Sequence, residues 1–225
     1  MPSSRPYVLL SAAMSADGYI DDATPRRLVL SGPEDLDRVD EVRAGCDAIM
    51  VGAGTIRADN PRLLIRSPER RAERRRRGQP ENPVKVTITG SGNLDPDARF
   101  FAADGAAKLV YAAAGVAGPL RERLDGWAAV ISPEAGTGLS AVLADLAGRG
   151  VRRLMIEGGA SVLCQALSEG LADELQLAIA PVFVGDPDAP RLLTLGGAVP
   201  GRMRLAGIER AGDIAVLRYL PGGRA

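Results

Sequence analysis

The stretch from Val151 to Glu169 constrains this chain more than any other. Leu154-Met155-Ile156 is a short apolar run, Glu157-Gly158-Gly159-Ala160-Ser161 follows it, and Val162, Leu163, Ala166 and Leu167 then recur at helical spacing. The pattern reads strand, glycine turn, helix. Paired glycines let the backbone reverse sharply and let a ligand approach it closely. The helix behind them aims unpaired N–H groups and the positive end of its dipole at whatever sits there. Such a turn can seat a pyrophosphate, or it can be a tight strand-to-helix link and nothing more. These residues alone leave both readings open, because the third glycine of the dinucleotide fingerprint is missing at its spacing. Glu157 ends the strand, where ligands of open α/β sheets bind.

The same design occurs earlier. Ala48-Ile49-Met50-Val51 is a buried strand that ends in Gly52-Ala53-Gly54-Thr55, a small-residue turn opening a short helical piece that stops at Ala58-Asp59-Asn60-Pro61. Tyr7 to Ala13 reads as the first buried strand and runs into a turn at Asp17-Gly18, with a polar loop through Asp21, Asp22, Thr24 and Pro25. Ser31-Gly32-Pro33-Glu34 has the form of a helix start, and Leu36, Val39 and Val42 give that helix an apolar face. Arg43 stands beside this face, either as a cation at the helix C-terminus or as a functional group. Leu63-Leu64-Ile65 reads as a short strand closed by Arg66. From Arg66 to Pro83 runs a charged insert holding Arg70, Arg71, Arg74, Arg75, Arg76 and Arg77. It is a phosphate-binding patch or a mobile solvated face, as like-charge runs commonly are.

Further strands are expected over Val84–Thr89, Lys108–Ala112, Ala128–Ile131 and Asp173–Ala180. Helices are expected over Pro119–Leu124 and around Leu139, Val142, Leu143 and Leu146, the latter ended by Gly148 and Gly150. Met203–Ile208 and Ile214–Leu220 flank Ala211-Gly212-Asp213 as an antiparallel hairpin. Strand and helix alternate and a hairpin closes the chain, so the fold class is α/β with a mostly parallel central sheet and an antiparallel C-terminal hairpin.

Composition limits the chemistry. The chain has 225 residues, enough for one domain with a full core, and its 28 basic and 28 acidic side chains cancel. A zero net charge argues against general nucleic-acid binding. No apolar run is long enough to cross a membrane, and the N-terminus lacks the form of a signal peptide, so a cytoplasmic location is expected. Cys46 and Cys164 have no paired spacing and read as inert thiols. There is no histidine, which removes the histidine-based triads and histidine metal sites; no metal site is expected. Hydride transfer from a nicotinamide needs little acid–base help and fits this inventory, since the cofactor carries the hard step.

Taken together, Met14-Ser15-Ala16-Asp17-Gly18, the run Gly52 to Pro61, Ile156 to Ser161, and Asp173-Glu174-Leu175 with Ala180-Pro181 and Gly185 resemble the reductase domain of bacterial riboflavin biosynthesis proteins. The resemblance implies the three-layer dihydrofolate-reductase-like fold, one reductase domain over residues 1–225, and no deaminase domain. It implies reduction, by NADPH, of 5-amino-6-(5-phosphoribosylamino)uracil to its ribitylamino form, with hydride delivered to ribose C1. Position by position, it implies substrate contacts for the phosphorylated pyrimidine at Arg43, Leu63, Arg66 and Glu157. Cofactor contacts are implied at Met14, Thr55, Asp59, Ser91, Gly158, Gly159, Ala160, Ser161 and Val162. Glu157 and Asp59 are the candidate acid–base groups, with water as the alternative source of the proton. A homodimer is implied, with the C-terminal hairpin as its contact. The chain departs from the family pattern at Ser11, where a lysine is common, and at Arg27, Leu28 and Val29, which replace a Ser-x-Trp segment. Two alternatives therefore stand beside this reading: a dihydrofolate-like or secondary-metabolite reductase, and a non-catalytic NADP-binding module.

Overall fold

A computed structural model of the protein describes residues 4–24, 28–133, 136–192 and 202–222. Pro25 and Arg27 lie outside the described residues. Among the described residues nine strands form one sheet: β1 (Tyr7–Ser15), β2 (Ala48–Gly52), β3 (Val84–Thr89), β4 (Lys108–Ala112), β5 (Ala129–Ile131), β6 (Arg153–Gly158), β7 (Glu174–Ala180), β8 (Met203–Ala211) and β9 (Ile214–Pro221). Their order is β5-β4-β3-β2-β6-β1-β7-β9-β8. The first seven in that order run parallel, and β9 and β8 are antiparallel. Six α-helices accompany them among the described residues: α1 (Pro33–Ala44), α2 (Ala53–Asp59), α3 (Pro68–Arg76), α4 (Ala114–Arg123), α5 (Leu139–Gly148) and α6 (Ala160–Ser168).

The three layers follow from the period of two along the central strands. Val8, Leu10, Ala48, Met50, Leu154 and Ile156 pack on one side with Leu143 and Leu146 of α5 and Leu163 and Leu167 of α6. Their neighbours Ile49 and Val51 face the other side, against Ile56 of α2 and Leu120 of α4. Leu9 and Met155 also face that side, with Val39 and Val42 of α1 beside them. Strands buried on both faces read as unbroken apolar runs, which is why these were legible.

Four expectations are corrected. The apolar face of α1 is only half-buried; the residues this helix buries are Asp35, Arg38 and Asp40. Arg38 donates to Asp35 (2.9 Å from Nε) and to Gln176 of β7 (2.6 Å), and so ties the helix to the sheet through charge. Helix α4 starts at Ala114 and carries Pro119 inside. The carbonyl this proline cannot bond belongs to Gly115, which is exposed to solvent, so the missing helical bond leaves no buried acceptor. Leu63-Leu64-Ile65 is irregular rather than a strand. Asn60 caps α2 in the left-handed conformation and Leu63 also has a positive φ, 52°, which bends the segment away from any ladder. The charged insert is neither a bare face nor a phosphate patch along its length. It contains α3, capped by Ser67 and with Arg74 buried. Arg74 donates to the carbonyls of Ala44, Cys46 and Pro80, each at 2.8 Å. Arg70 pairs with Asp37 and Asp40. At the far end Arg75, Arg76 and Arg77 stand more than half exposed, and there Glu73 and Glu81 pair with them.

Cys46 fits the inert reading: it is buried, its thiol donates to the Val42 carbonyl, and burial pushes its pKa up to about 11. Among the described residues no helix is long and apolar enough to cross a membrane.

The foot of β7 holds a buried carboxylate whose ionisation is coupled to folding. Burial works against the charge on Glu174, but hydrogen bonds from Arg218, Gln176 and Tyr7, at 2.8 to 2.9 Å, outweigh it and hold its pKa down at about 2, against an ordinary 4.5. A folded-state pKa below the unfolded one stabilises the protein above the unfolded value, and this contribution drains away as pH falls toward the folded one. Glu174→Gln is therefore expected to lower stability by about 2 kcal/mol near neutral pH, with the difference from the parent closing between about pH 4.5 and 2. Urea midpoints across that range check it; a difference that does not change with pH would show that Glu174 acts only through packing.

Candidate active site

Strands β2 and β6 are neighbours, so their two glycine-bearing ends lie side by side. A Cβ built on Gly52 would sit 3.2 Å from Val162 Cγ2 and 3.5 Å from the Gly159 nitrogen. A Cβ on Gly159 would come within 2.9 Å of Thr55 Oγ1. Both turns must be this small for the starts of α2 and α6 to meet. Gly158 has φ 151°, a conformation only glycine takes readily, and the Gly158–Gly159 peptide is cis. Gly159 is the N-cap of α6 and supplies no side chain to the helix's first N–H groups. The amides of Ala160 and Ser161 thus keep their donors for a ligand.

Two cavities open on either side of α2. The first, about 270 Å³, is lined by the β2–α2 turn, by Ile88 to Ser91 at the end of β3, by Arg57, and by Ser161, Val162 and Gln165 of α6. The second, about 590 Å³, is lined by Arg43, Thr55, Asp59, Leu63, Arg66 and Glu157, with Arg62, Arg71 and Arg99 added.

An ion pair lies in the wall of the second cavity. Arg43 Nε and Nη2 each donate to a Glu157 oxygen at 2.6 Å, and Nη1 reaches the Leu64 carbonyl at 3.1 Å. The side chains are 15% and 12% exposed. Burial alone would lower the guanidinium pKa, but Glu157 more than offsets this and raises it. An ionised carboxylate held this way accepts hydrogen bonds and does not donate them; its unused lone pairs suit ring N–H groups. Arg71 is committed to the Ile65 and Arg66 carbonyls, at 2.8 and 3.0 Å. The Arg62, Arg66 and Arg99 side chains are exposed and make no ion pair among the described residues.

The segment that carries Leu63 and Arg66 is held by its backbone. Asn82 Oδ1 accepts from the Ile65 N–H (2.9 Å), and the buried Asp40 accepts from the N–H groups of Arg66 and Ser67. The left-handed conformation at Leu63 has an energetic cost of order 1 kcal/mol; the residue tolerates it because its side chain is 3% exposed, in the cluster with Leu94, Phe100 and Phe101.

Of the residues expected at the site, Arg43, Thr55, Asp59, Leu63, Arg66 and Glu157 line one cavity and Ser91, Ser161 and Val162 the other. Gly158, Gly159 and Ala160 form the turn between. Met14 lies on β1 and packs against the core, outside the lining of both cavities. Ser11 is buried, 7% exposed, and its neutral hydroxyl supplies no cation at that position. Sequence reasoning passed over Arg57, Arg62 and Arg99 as site residues and met Arg71 only as one member of the arginine run. Arg62 sits beside Leu63 and could have been found by proximity; Arg71 was hidden inside a run of arginines, and Arg99 carried no signal.

Solved structures share this architecture. A deaminase/5-amino-6-(5-phosphoribosylamino)uracil reductase from Thermotoga maritima matches with a TM-score of 0.78 at 23% identity, over 97% of this chain and 57% of that one. A pyrimidine reductase-like protein from Corynebacterium diphtheriae matches at 0.80 and 24%, over 97% and 93%. The fold is thus one that these proteins share. The family model of the RibD C-terminal domain matches residues 6–217, and the chain belongs to that family. Among curated relatives, the 2,5-diamino-6-ribosylamino-4(3H)-pyrimidinone 5′-phosphate reductase of Archaeoglobus fulgidus is 35% identical over 209 residues, covering 93% of this chain and 95% of the relative. The protein of the same name from Methanothermobacter thermautotrophicus is 38% identical over 194 residues, with 84% of each chain covered. The chain spans about half of the riboflavin biosynthesis protein RibD of Bacillus amyloliquefaciens, at 32% identity.

Proposed function

We propose that this chain reduces a 6-ribosylamino-pyrimidine 5′-phosphate with NADPH, opening the ribose to a ribityl chain. The observation that carries the reading is the pairing of two unlike cavities across α2. One is free of carboxylates and faces the open N-terminus of α6; the other holds unpaired guanidinium groups around a buried Arg43–Glu157 pair.

The residues fit the cofactor. The amides of Ala160 and Ser161 and the space left by Gly52 and Gly159 suit a pyrophosphate; Thr55 stands between the cavities, and Ser91 borders the adenosine side. When bound, NADPH supplies the hydride that reaches ribose C1. The chain's own groups do the rest. Arg66, with Arg62 and Arg99 nearby, holds the 5′-phosphate through planar forks that match its oxygens. Glu157, fixed by Arg43, accepts from the pyrimidine N–H groups, and Leu63 walls the ring. The ring oxygen takes up a proton, from Asp59 in the same cavity or from water, when its bond to C1 breaks; Glu157, already engaged by Arg43, remains an acceptor.

Both the 2,5-diamino-pyrimidinone named for the relatives and the deaminated uracil carry the same reacting ribosylamino group and the same phosphate. A homodimer through the C-terminal hairpin is part of the proposal. The outer strand β8 leaves Leu205 and Ile208 46% and 69% exposed, and an exposed strand edge favours pairing with another chain.

The test is loss of NADPH absorbance with each pyrimidine phosphate, for the parent and for Ser161→Asp. The parent is expected to turn over at least one of them. Ser161→Asp is expected to weaken NADPH about tenfold or more, because its carboxylate would face the pyrophosphate. Saturable NADPH binding with no turnover of either compound would defeat the substrate assignment. Unchanged NADPH affinity in Ser161→Asp would move the pyrophosphate away from α6.

A further inference from the structure

We infer that Arg57 is the residue by which this chain distinguishes NADPH from NADH, through the phosphate on the adenosine 2′ position. The inference rests on the cofactor reading above and goes beyond it by naming the selecting group.

The first cavity has one charged lining side chain, Arg57, and no lining carboxylate. That asymmetry is informative. Sites that take NADH commonly place a carboxylate on the ribose 2′-hydroxyl, whereas an arginine accommodates the 2′-phosphate. A carboxylate here would repel the extra phosphate, and the cavity offers the opposite charge.

The position of Arg57 also suits the task. It lies on the exposed side of α2, past the Gly52–Gly54 turn, and its Nη1 donates to the Asn93 carbonyl at 3.0 Å. That carbonyl belongs to a loop held at several points. The Gly92 N–H donates to Thr89 Oγ1 at 3.0 Å, the Asn93 N–H donates to Ser91 Oγ at 3.2 Å, and Arg123 donates to the Gly92 carbonyl. Gly92 itself has φ 67°, in the left-handed region. The guanidinium is thus fixed to the same loop that presents the Ser91 hydroxyl to the cavity. One of its nitrogens is used on a neutral carbonyl, and no ion pair engages the others among the described residues. A guanidinium has five N–H donors, so donors remain for a phosphate. A purely structural arginine at an exposed helix position has no need of a cavity free of acids beside it.

The pyrophosphate is the competing target for this cation, and the two nucleotides separate the cases, since both carry it and only NADPH carries the 2′-phosphate. Titration calorimetry of the parent, Arg57→Ala and Arg57→Lys with NADPH and with NADH reads the difference. Arg57→Ala is expected to weaken NADPH about tenfold, as loss of one charge-assisted contact at an exposed site does, and to change NADH by less than about twofold. Arg57→Lys is expected to recover part of the preference. Added salt is expected to narrow the parent's preference more than that of Arg57→Ala. Equal weakening of both nucleotides would assign Arg57 to the pyrophosphate, and no change in NADPH affinity would remove it from the site; either result overturns the inference while leaving the cofactor reading intact. A parent that binds neither nucleotide would overturn both. An unchanged thermal midpoint in Arg57→Ala separates these outcomes from misfolding.

Discussion

Glu157→Ala is expected to lose about 3 kcal/mol of stability together with nearly all pyrimidine reduction. The reason is the pair it breaks. Both carboxylate oxygens accept from Arg43 at 2.6 Å, and the two side chains are only 15% and 12% exposed. Removing the carboxylate leaves a guanidinium in a largely dry wall with the Leu64 carbonyl as its remaining partner. A charge desolvated and then left unpaired has a larger energetic cost than the pair itself returns. The loss should be non-additive. Arg43→Ala alone should destabilise comparably, and the double variant Arg43→Ala with Glu157→Ala should be less unstable than the sum of the two singles. Urea midpoints for the parent, both singles and the double complete this cycle. Single losses that simply add would mean that the two groups act independently, contrary to the geometry. Glu157→Gln serves as the functional control, because it retains the shape and some hydrogen bonds. It should keep more stability than Glu157→Ala while still losing turnover, if the ionised carboxylate is what receives the pyrimidine.

This pair also shows what the sequence could and could not disclose. The strand–glycine–helix unit around Glu157 was legible because each part has its own signal: an apolar run, two adjacent glycines, and an apolar period close to 3.6. The parallel sheet was legible for the same reason, since strands buried on both faces leave continuous apolar words. Arg43 and Glu157 are 114 positions apart, and no local pattern announces their contact. The resemblance assigned both to the substrate without indicating that they hold each other.

Two of the corrected elements, α1 and the charged insert, were misread because their charged residues satisfy distant partners. Helix α1 buries Asp35, Arg38 and Asp40: Arg38 donates to Asp35 and to Gln176 of β7, and Asp40 faces the irregular segment after Pro61, whose N–H groups need acceptors. Asp40 serves the N–H groups of Arg66 and Ser67, and Arg71 serves the carbonyls of Ile65 and Arg66. A charged residue that satisfies a distant backbone looks, in sequence, like any solvated charge. The arginine-rich insert was therefore read by its composition, whereas its first half works as a set of hydrogen-bond donors that shape the second cavity. Leu63 to Ile65 misled in the opposite way. Three apolar residues suggest a strand, yet the left-handed conformation at Leu63 comes from long-range packing and leaves no local mark, unlike the one at Asn60, whose Asn-Pro sequence is a turn signal.

Arg66→Ala is expected to raise the KM for a phosphorylated pyrimidine about a hundredfold, the equivalent of about 2.7 kcal/mol of lost binding, with NADPH affinity within about twofold of the parent. The effect should be confined to the side chain, because the Arg66 backbone is held independently by Asp40 and its neighbours by Asn82 and Arg71. The arginine makes no ion pair among the described residues, so its removal strands no buried carboxylate, and stability should change by less than about 0.5 kcal/mol. The phosphate supplies the decisive comparison. With the dephosphorylated ribosylamino-pyrimidine as substrate, parent and Arg66→Ala should have nearly equal KM, since the lost contact is then absent from both. Arg62 and Arg99 line the same cavity, so each single replacement there should raise KM less than Arg66→Ala does, if Arg66 makes the bidentate contact. A fall in NADPH affinity instead would place Arg66 on the cofactor. A KM increase that persists without the phosphate would mean that Arg66 shapes the pyrimidine end of the cavity, and the phosphate would then belong to Arg62 and Arg99.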